Sequence, residues 1–289
     1  MASAHPRFQP EVGRAGARTL AARPIVSLLS DFGVRDPFVG AMKGVILGVC
    51  AEVTLVDLCH EVSPHDVRGG SFLLHTVADA FPAGTIHVAV VDPGVGGPRR
   101  PILAEVDGQV FVAPDNGLLS YPLAYAARWR IRHLTAQGYW RHPVSASFHG
   151  RDIFAPVAGH LASGVEPARF GPEIDDPVRI PIVRPAVDAA GNIRGTVIWV
   201  DRFGNCVTNV ARGDLARLAP AGGARLRARL GTRPLGPVVG YFAQLEPGAA
   251  GAMVGSTGHV ELFCNLGNLA REWRIEPGDE VVFEPSGDD

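Results

Sequence analysis

The sequence predicts an α/β protein in two parts. The first is an N-terminal three-layer α/β domain with a mostly parallel sheet, and the second is a small C-terminal β domain of barrel-like type. Two observations carry this. From Pro24 to Val91 short apolar runs alternate with segments of helical period, whereas beyond about residue 186 only short strands punctuated by Gly and Pro occur. A third observation bounds the class: 35 Gly and 24 Pro make about a fifth of the 289 residues, yet 46% are hydrophobic, enough for a core and too many for a disordered chain. Lys43 is the only lysine and alanine is abundant. Composition bias therefore accounts for part of the Gly and Pro, including Pro220–Gly223 and Gly248–Gly251, and the places where these residues cluster carry the information.

The elements follow in order. Ile25–Leu29 is a short apolar run that fits a buried strand. Phe38, Val39, Met42, Val45, Ile46 and Val49 recur at helical spacing. A second strand at Val53–Leu58, a helix from about Asp66 to Phe81-Pro82 and a third strand at Thr85–Val91 complete β-α-β-α-β, which implies right-handed crossovers and parallel pairing. Ile102–Val106 and Gln109–Ala113 flank Asp107-Gly108 as a hairpin, and Ile153–Leu161 reads as a helix ended by Gly164. The predicted boundaries are a disordered arm at 1–23, the α/β domain at 24–165, a Pro-rich linker at 166–185 and the β domain at 186–289. Strands are expected at Val197–Val200, Val207–Val210, Arg225–Leu230, Val238–Phe242, Val260–Phe263 and Val281–Phe283.

Charge and cysteine usage exclude several classes. The net charge is −2, only 19% of residues are charged and no basic block occurs, which argues against nucleic acid as a partner. No apolar run reaches the roughly 18 residues that cross a membrane, and the first 23 residues lack the apolar core of a secretory signal. Cys50, Cys59, Cys206 and Cys264 show no CxxC spacing, so neither a disulfide framework nor a zinc site is indicated, and a cytoplasmic location is expected.

Ligands of parallel sheets bind beyond the carboxyl ends of the strands. Asp31, Asp57 and Asp92 each end one of the first three strands; Asp57 is read as the structural one. The loop Asp92-Pro93-Gly94-Val95-Gly96-Gly97-Pro98-Arg99 lacks the Gly-Lys-Ser/Thr ending of a phosphate loop, but its two charged ends can fix each other's protonation. His149, in Phe148-His149-Gly150-Arg151-Asp152, is a candidate base or an ordinary loop residue. The cluster Asp57, His60, Glu61, His65, Asp66 matches no metal-ligand pattern and is read as loop and helix cap. By propensity alone, Asp201–Asn205 and Gly255–His259 are turns.

Taken together, six motifs in order resemble one family. They are Ser30-Asp31-Phe32-Gly33, Asp57-Leu58-Cys59-His60, Asp92-Pro93-Gly94-Val95-Gly96, Ala113–Leu118, Phe203-Gly204-Asn205, and Gly255-Ser256 through Asn265. The chain from about Pro24 to Glu284 resembles the S-adenosyl-methionine hydrolases (adenosine-forming), relatives of the fluorinase and chlorinase enzymes. The resemblance implies a homotrimer with the site at the subunit interface and no metal or other cofactor. It also implies attack of water at C5′ of S-adenosyl-L-methionine to give adenosine and methionine, with the (R)-sulfonium epimer as one possible substrate. Asp92, Arg99 and His149 match its catalytic set, and either Asp92 or His149 is expected to accept the proton. Asp31 matches the ribose carboxylate. Asn205, Ser256 and Glu261 match the methionine side, and Phe148 counts among the substrate contacts. Backbone at Cys264 and Asn265 matches the adenine edge. The halogenases carry tyrosine at the place of Asp92, an aromatic residue at that of His149 and an ion-binding serine at that of Gly150. A fluorinase tryptophan falls at His65, so stacking is not carried over there. A 5′-halogenase and a non-catalytic adenosine-binding module are the alternative readings.

Overall fold

The computed structural model of the protein describes residues 23–218 and 226–286, and the chain divides into two compact units, Met1–Ile182 and Val183–Asp289. The arm predicted at 1–23 lies outside the described residues except for Arg23, and the Pro220–Gly223 stretch lies wholly outside them.

In the first unit the predicted run is present as β1 (Ile25–Ser30), α1 (Phe38–Val49), β2 (Thr54–Cys59), α2 (Val67–Ala78) and β3 (Ile86–Val90). There follow β4 (Pro101–Val106), β5 (Gln109–Pro114), α3 (Ser120–Tyr125), β6 (Trp129–His133), α4 (Ala155–Ala162) and β7 (Glu173–Ile174). The sheet order is β2-β1-β3-β5-β4-β6-β7. β2, β1, β3 and β5 pair in parallel, and β4, β6 and β7 join antiparallel. All five residues of β3 are buried, as a strand covered on both faces requires. One face packs Val26, Leu28 and Val88 against Met42 and Ile46 of α1 and Val157 of α4. The other packs Leu29, Ala89 and Phe111 against Leu74 of α2 and Leu123 of α3. Asp66 caps α2, its Oδ1 accepting from Gly69 N at 2.8 Å, as its position before the helix predicts.

Two parts of this unit depart from expectation. β6 carries Arg130 and Arg132, and only Ile131 is fully buried, so the strand has no apolar run to announce it. The segment expected as a linker is fastened to the sheet as far as Ile180. Phe170 is buried, β7 pairs with β6, and the N–H groups of Val178 and Ile180 donate to Asp115 Oδ1 (2.8 Å) and Ser120 Oγ (2.9 Å).

The second unit contains β8 (Ala186–Val187), β9 (Ile193–Val200), β10 (Cys206–Ala211), α5 (Arg212–Leu218), β11 (Leu226–Leu230), β12 (Arg233–Val239), β13 (Ala250–Val254), β14 (His259–Cys264), α6 (Leu269–Trp273) and β15 (Glu280–Pro285). Seven strands close in the order β10-β14-β13-β12-β11-β15-β9, with β9 pairing back to β10 and β8 lying outside on β9. This is the small barrel the sequence predicts. Its core is Val197, Cys206, Val210, Leu262, Val281 and Phe283. The Gly248–Gly251 stretch, read as composition bias, runs into β13. There Gly251 packs closely: an added Cβ would overlap the end of the Leu245 side chain and lie 3.0 Å from the Pro237 carbonyl oxygen. Phe242, expected to end a strand, falls instead in a short 3-10 turn at Phe242–Gln244.

Candidate active site

The loop after β3 is two overlapping turns, Val95 N donating to Asp92 O (3.1 Å) and Gly97 N to Gly94 O (3.0 Å). They fold the chain back so that Arg99 meets Asp92 through a fork. Nε donates to Oδ1 and Oδ2 at 3.0 Å each, and Nη2 donates to Oδ2. Both side chains are nearly buried, 4% exposed for Asp92 and 9% for Arg99, so this pair is little screened by water. Asn116 secures the base of the loop. Its Nδ2 donates to Val91 O at 2.8 Å, joining the end of β3 to the turn after β5.

His149 arrives from a second loop. A single π-turn, Gly150–Phe154, leads into α4, and His149 stands at its head. Such turns concentrate at functional sites. Asp152, 0% exposed, holds the turn to the preceding loop: Arg141 and Arg151 donate to Oδ1 (3.1 and 2.7 Å), and Arg151 Nη2 and Ser145 N to Oδ2 (2.8 and 2.9 Å). Burial works to raise the Asp152 carboxyl, but these hydrogen bonds outweigh it and hold it below the ordinary value. The two loops touch at Gly96, whose φ is +78° and whose missing Cβ would overlap the carbonyl oxygen of Ala146. Only glycine fits there.

This approach lets Arg99 Nη2 reach His149 Nδ1 at 2.6 Å. A guanidinium only donates, so Nδ1 must accept and the imidazole proton resides on Nε2. Burial, reinforced by the Arg99 charge, pushes His149 below its ordinary pKa and keeps the ring neutral at pH 7. Asp92, Arg99 and His149, singled out in the sequence, are thus one hydrogen-bonded row. Phe148 lies beside it, edge to face with Phe32 and Phe38 at 6.0 and 5.2 Å, with Arg151 5.0 Å over its ring. Asp31 follows β1 directly, and its Oδ2 accepts from His65 N at 2.9 Å.

The remaining candidates belong to the barrel. Asn205 is held by Asp201, Nδ2 to Oδ2 at 2.9 Å and N to Oδ1 at 2.8 Å. Ser256 is exposed in the turn between β13 and β14. Glu261 lies across Gly255, where any side chain would collide with its carboxyl. Burial, and then the negative charge of Asp201, raises the Glu261 carboxyl. At Cys264 and Asn265 the backbone is largely engaged within the barrel. Asn265 N donates to Ala249 O (2.9 Å), Asn265 O accepts from Gly248 N (2.7 Å) and Cys264 O accepts from Gly267 N (3.1 Å). What remains for a ligand edge is the second lone pair of each carbonyl.

Residues 26–171 match the SAM hydroxide adenosyltransferase N-terminal domain, and residues 195–282 the corresponding C-terminal domain. The chain belongs to the SAM hydroxide adenosyltransferase family. It is similar to a Thermus thermophilus protein named (R)-S-adenosyl-L-methionine hydrolase, 37% identical over 267 residues that cover 90% of this chain and 98% of the other. A protein of Nocardia brasiliensis named fluorinase is 30% identical over 91% of this chain and 97% of its own. The crystal structure of an uncharacterized conserved protein from Thermotoga maritima superposes with a TM-score of 0.84 at 32% identity, covering 90% of this chain and 99% of that one.

Sequence reasoning within the SAM hydroxide adenosyltransferase motifs missed three residues. Asp152 ends the very motif that supplied His149, Asn116 sits inside the Ala113–Leu118 motif, and Asp201 opens a turn read as ordinary. Their signal was a buried or bridging role, which a lone acidic or amide residue does not reveal. Among the described residues no three His, Cys, Asp or Glu are gathered as metal ligands.

Proposed function

We propose that the protein hydrolyses S-adenosyl-L-methionine to adenosine and L-methionine, with Asp92, Arg99 and His149 as its catalytic residues. The observation that carries this reading is Arg99 bridging an aspartate and a neutral histidine at the carboxyl edge of the parallel sheet. The chemistry asks for little more. A sulfonium leaves as a neutral thioether, so no acid is needed to protonate it; what is needed is an oriented water in line with the C5′–S bond. The water oxygen forms the new bond to C5′ as the C5′–S pair departs on sulfur. His149 donates through Nε2–H and orients the water. The protonated alcohol that forms is a strong acid, so Asp92 takes its proton even while held by Arg99.

For binding, Asp31 accepts from the ribose hydroxyls, and the aromatic cluster of Phe148 closes the neighbouring side. Glu261, with Asp201 beside it, makes a region of negative potential suited to the methionine ammonium, while Asn205 and Ser256 take its carboxylate. The free lone pairs of the Cys264 and Asn265 carbonyls suit the adenine amino group. The assembly we infer is a cytoplasmic homotrimer that works without a metal or other cofactor, each site drawing on two subunits. Light scattering tests the trimer.

The activity test is direct. Pure protein incubated with each sulfonium epimer in chloride buffer yields adenosine and methionine by chromatography, and Asp92→Asn abolishes turnover. Release of a 5′-halogenated nucleoside alone, or adenosine binding with no turnover, would sink the reading.

A further inference from the structure

A second hydrogen-bonded row lies outside the catalytic residues. Lys43 Nζ donates to Asp57 Oδ2 at 2.6 Å, Asp57 Oδ1 meets His60 Nε2 at 2.9 Å, and His60 Nδ1 meets Ser30 Oγ at 2.7 Å. It runs from the surface inward: the Lys43 and Asp57 side chains are 31% and 46% exposed, whereas His60 is 7% and Ser30 1% exposed. The proton order follows from the donor inventory. A carboxylate only accepts, so Nε2 carries the proton toward Asp57, and in the neutral ring Nδ1 accepts from the Ser30 hydroxyl. Ser30 Oγ in turn accepts from Phe32 N at 3.4 Å.

The arrangement depends on an irregular strand. In an unbroken β2 residues 57 and 60 would face opposite sides of the sheet. The register against β1 slips between Leu28 and Leu29, whose partners are Asp57 and Cys59, and both side chains come to the side of Ser30. Bulges that re-aim side chains in this way gather beside active sites.

The inner end of the row is the residue before Asp31, and the same loop grips the Asp31 segment twice more. Gly33 N donates to His60 O at 2.7 Å, and His65 N, from a residue with φ of 68°, donates to Asp31 Oδ2 at 2.9 Å. Such a conformation is costly for a residue with a Cβ and persists only where neighbours enforce it. Among the described residues Asp31 Oδ1 has no hydrogen-bond partner, which leaves it to accept from a ligand.

We propose that Lys43, Asp57, His60 and Ser30 are positioning residues that hold Asp31 in register for the ribose hydroxyls. They act on nucleoside recognition and not on the water-activating row. Ser30 is too buried to reach substrate, and its hydroxyl is already committed to His60, so the row does no chemistry of its own. This rests on the reading of Asp31 as the ribose carboxylate.

The test compares adenosine with 2′,3′-dideoxyadenosine, which lacks both hydroxyls, by calorimetry on the full-length protein. The wild type prefers adenosine, and Asp31→Asn abolishes the preference. Lys43→Ala, Asp57→Asn and His60→Gln each weaken adenosine about tenfold, the scale of one lost charged hydrogen bond. They leave dideoxyadenosine unchanged, and Lys43→Arg retains the preference. KM for S-adenosyl-methionine rises in the same variants, while the pH profile of kcat stays where His149 sets it. A merely structural role would weaken both nucleosides alike. Should His60→Gln fail to fold, the half-exposed Lys43 and Asp57 variants decide. If they discriminate as the wild type does, the positioning role is wrong and the ribose reading stands. If the wild type itself does not discriminate, the ribose reading fails first.

Discussion

Arg99 donates to His149 Nδ1 at 2.6 Å while its Nε and Nη2 hold Asp92, so one guanidinium sets the tautomer of the histidine and the orientation of the carboxylate. An ammonium could supply the charge but not the planar fork that serves both partners at once. Arg99→Lys is therefore expected to lower kcat by about 10²-fold or more, the scale seen when a preorganised donor is lost.

The same contact predicts a pH effect. Burial is the main cause that depresses His149, and the Arg99 charge adds to it. Arg99→Gln removes the charge and leaves the burial, so the His149 pKa rises and the acid limb of kcat moves to higher pH. Titration of the His149 ring by NMR in the two proteins reads this directly; a shift to lower pH would contradict the assignment.

Gly96→Ala places a methyl against the Ala146 carbonyl and strains a φ of +78°. The two loops must part, and kcat is expected to fall at least tenfold with a stability loss of about 1–2 kcal/mol. Gly138→Ala, where a Cβ meets nothing within 4 Å, is the control and stays within about 0.5 kcal/mol. Urea unfolding and steady-state kinetics on both variants make the comparison.

Asp152→Asn keeps the shape of the clamp and removes its charge from between Arg141 and Arg151. Asp152 is buried but its arginine partners are 48% and 30% exposed, so solvent screening limits the expected loss to about 1 kcal/mol. The wild-type carboxyl is held below its ordinary value, so this contribution is present above pH ~3.8 and is lost as pH falls through the folded pKa. The stability gap between the two proteins should accordingly close in acid, measured by denaturation from pH 7 to 3.

His87 gives the fold an acid limit unrelated to the site. It is 0% exposed, bonded through Nδ1 to Ser27 Oγ at 2.6 Å and stacked on Phe111 at 4.9 Å. Burial pushes it down to about 4 from 6.5. Its folded pKa lies below the unfolded one, so stability is full above pH 6.5, declines between 6.5 and 4, and is flat below. The total is on the order of 3 kcal/mol. His87→Phe should flatten that decline in urea titrations, at a cost of about 1 kcal/mol at pH 7 for the Ser27 hydroxyl left without a partner.

Much of this was legible in the residues. Short, mainly apolar runs at Ile25–Leu29 and Thr85–Val91 mark strands buried on both faces, because they do not alternate with exposed polar residues. Within them, the polar Ser27 and His87 bond each other in the core. The capping aspartate before α2 and the turn residues of the β4–β5 hairpin were equally plain. β6 and β13 were not. One sets Arg130 and Arg132 around a single fully buried isoleucine, and the other opens with Ala-Gly-Ala, where a Cβ on Gly251 would overlap the Leu245 side chain. In both, neighbours decide the strand and local preference does not.

The sequence by itself determined the α/β-then-barrel architecture and the family, and singled out Asp92, Arg99 and His149 as candidates, since each rests on residue type, order and local period. Only the tertiary structure decided which nitrogen of His149 carries its proton, that Asp152 and Asn116 hold the two loops, and that Ser30, His60 and Asp57 form a single row. Those facts depend on groups 11 to 50 residues apart meeting within hydrogen-bond distance, or, for Asp57 and His60, on a register slip that reverses the facing of near neighbours. Spacing along the chain is silent on both.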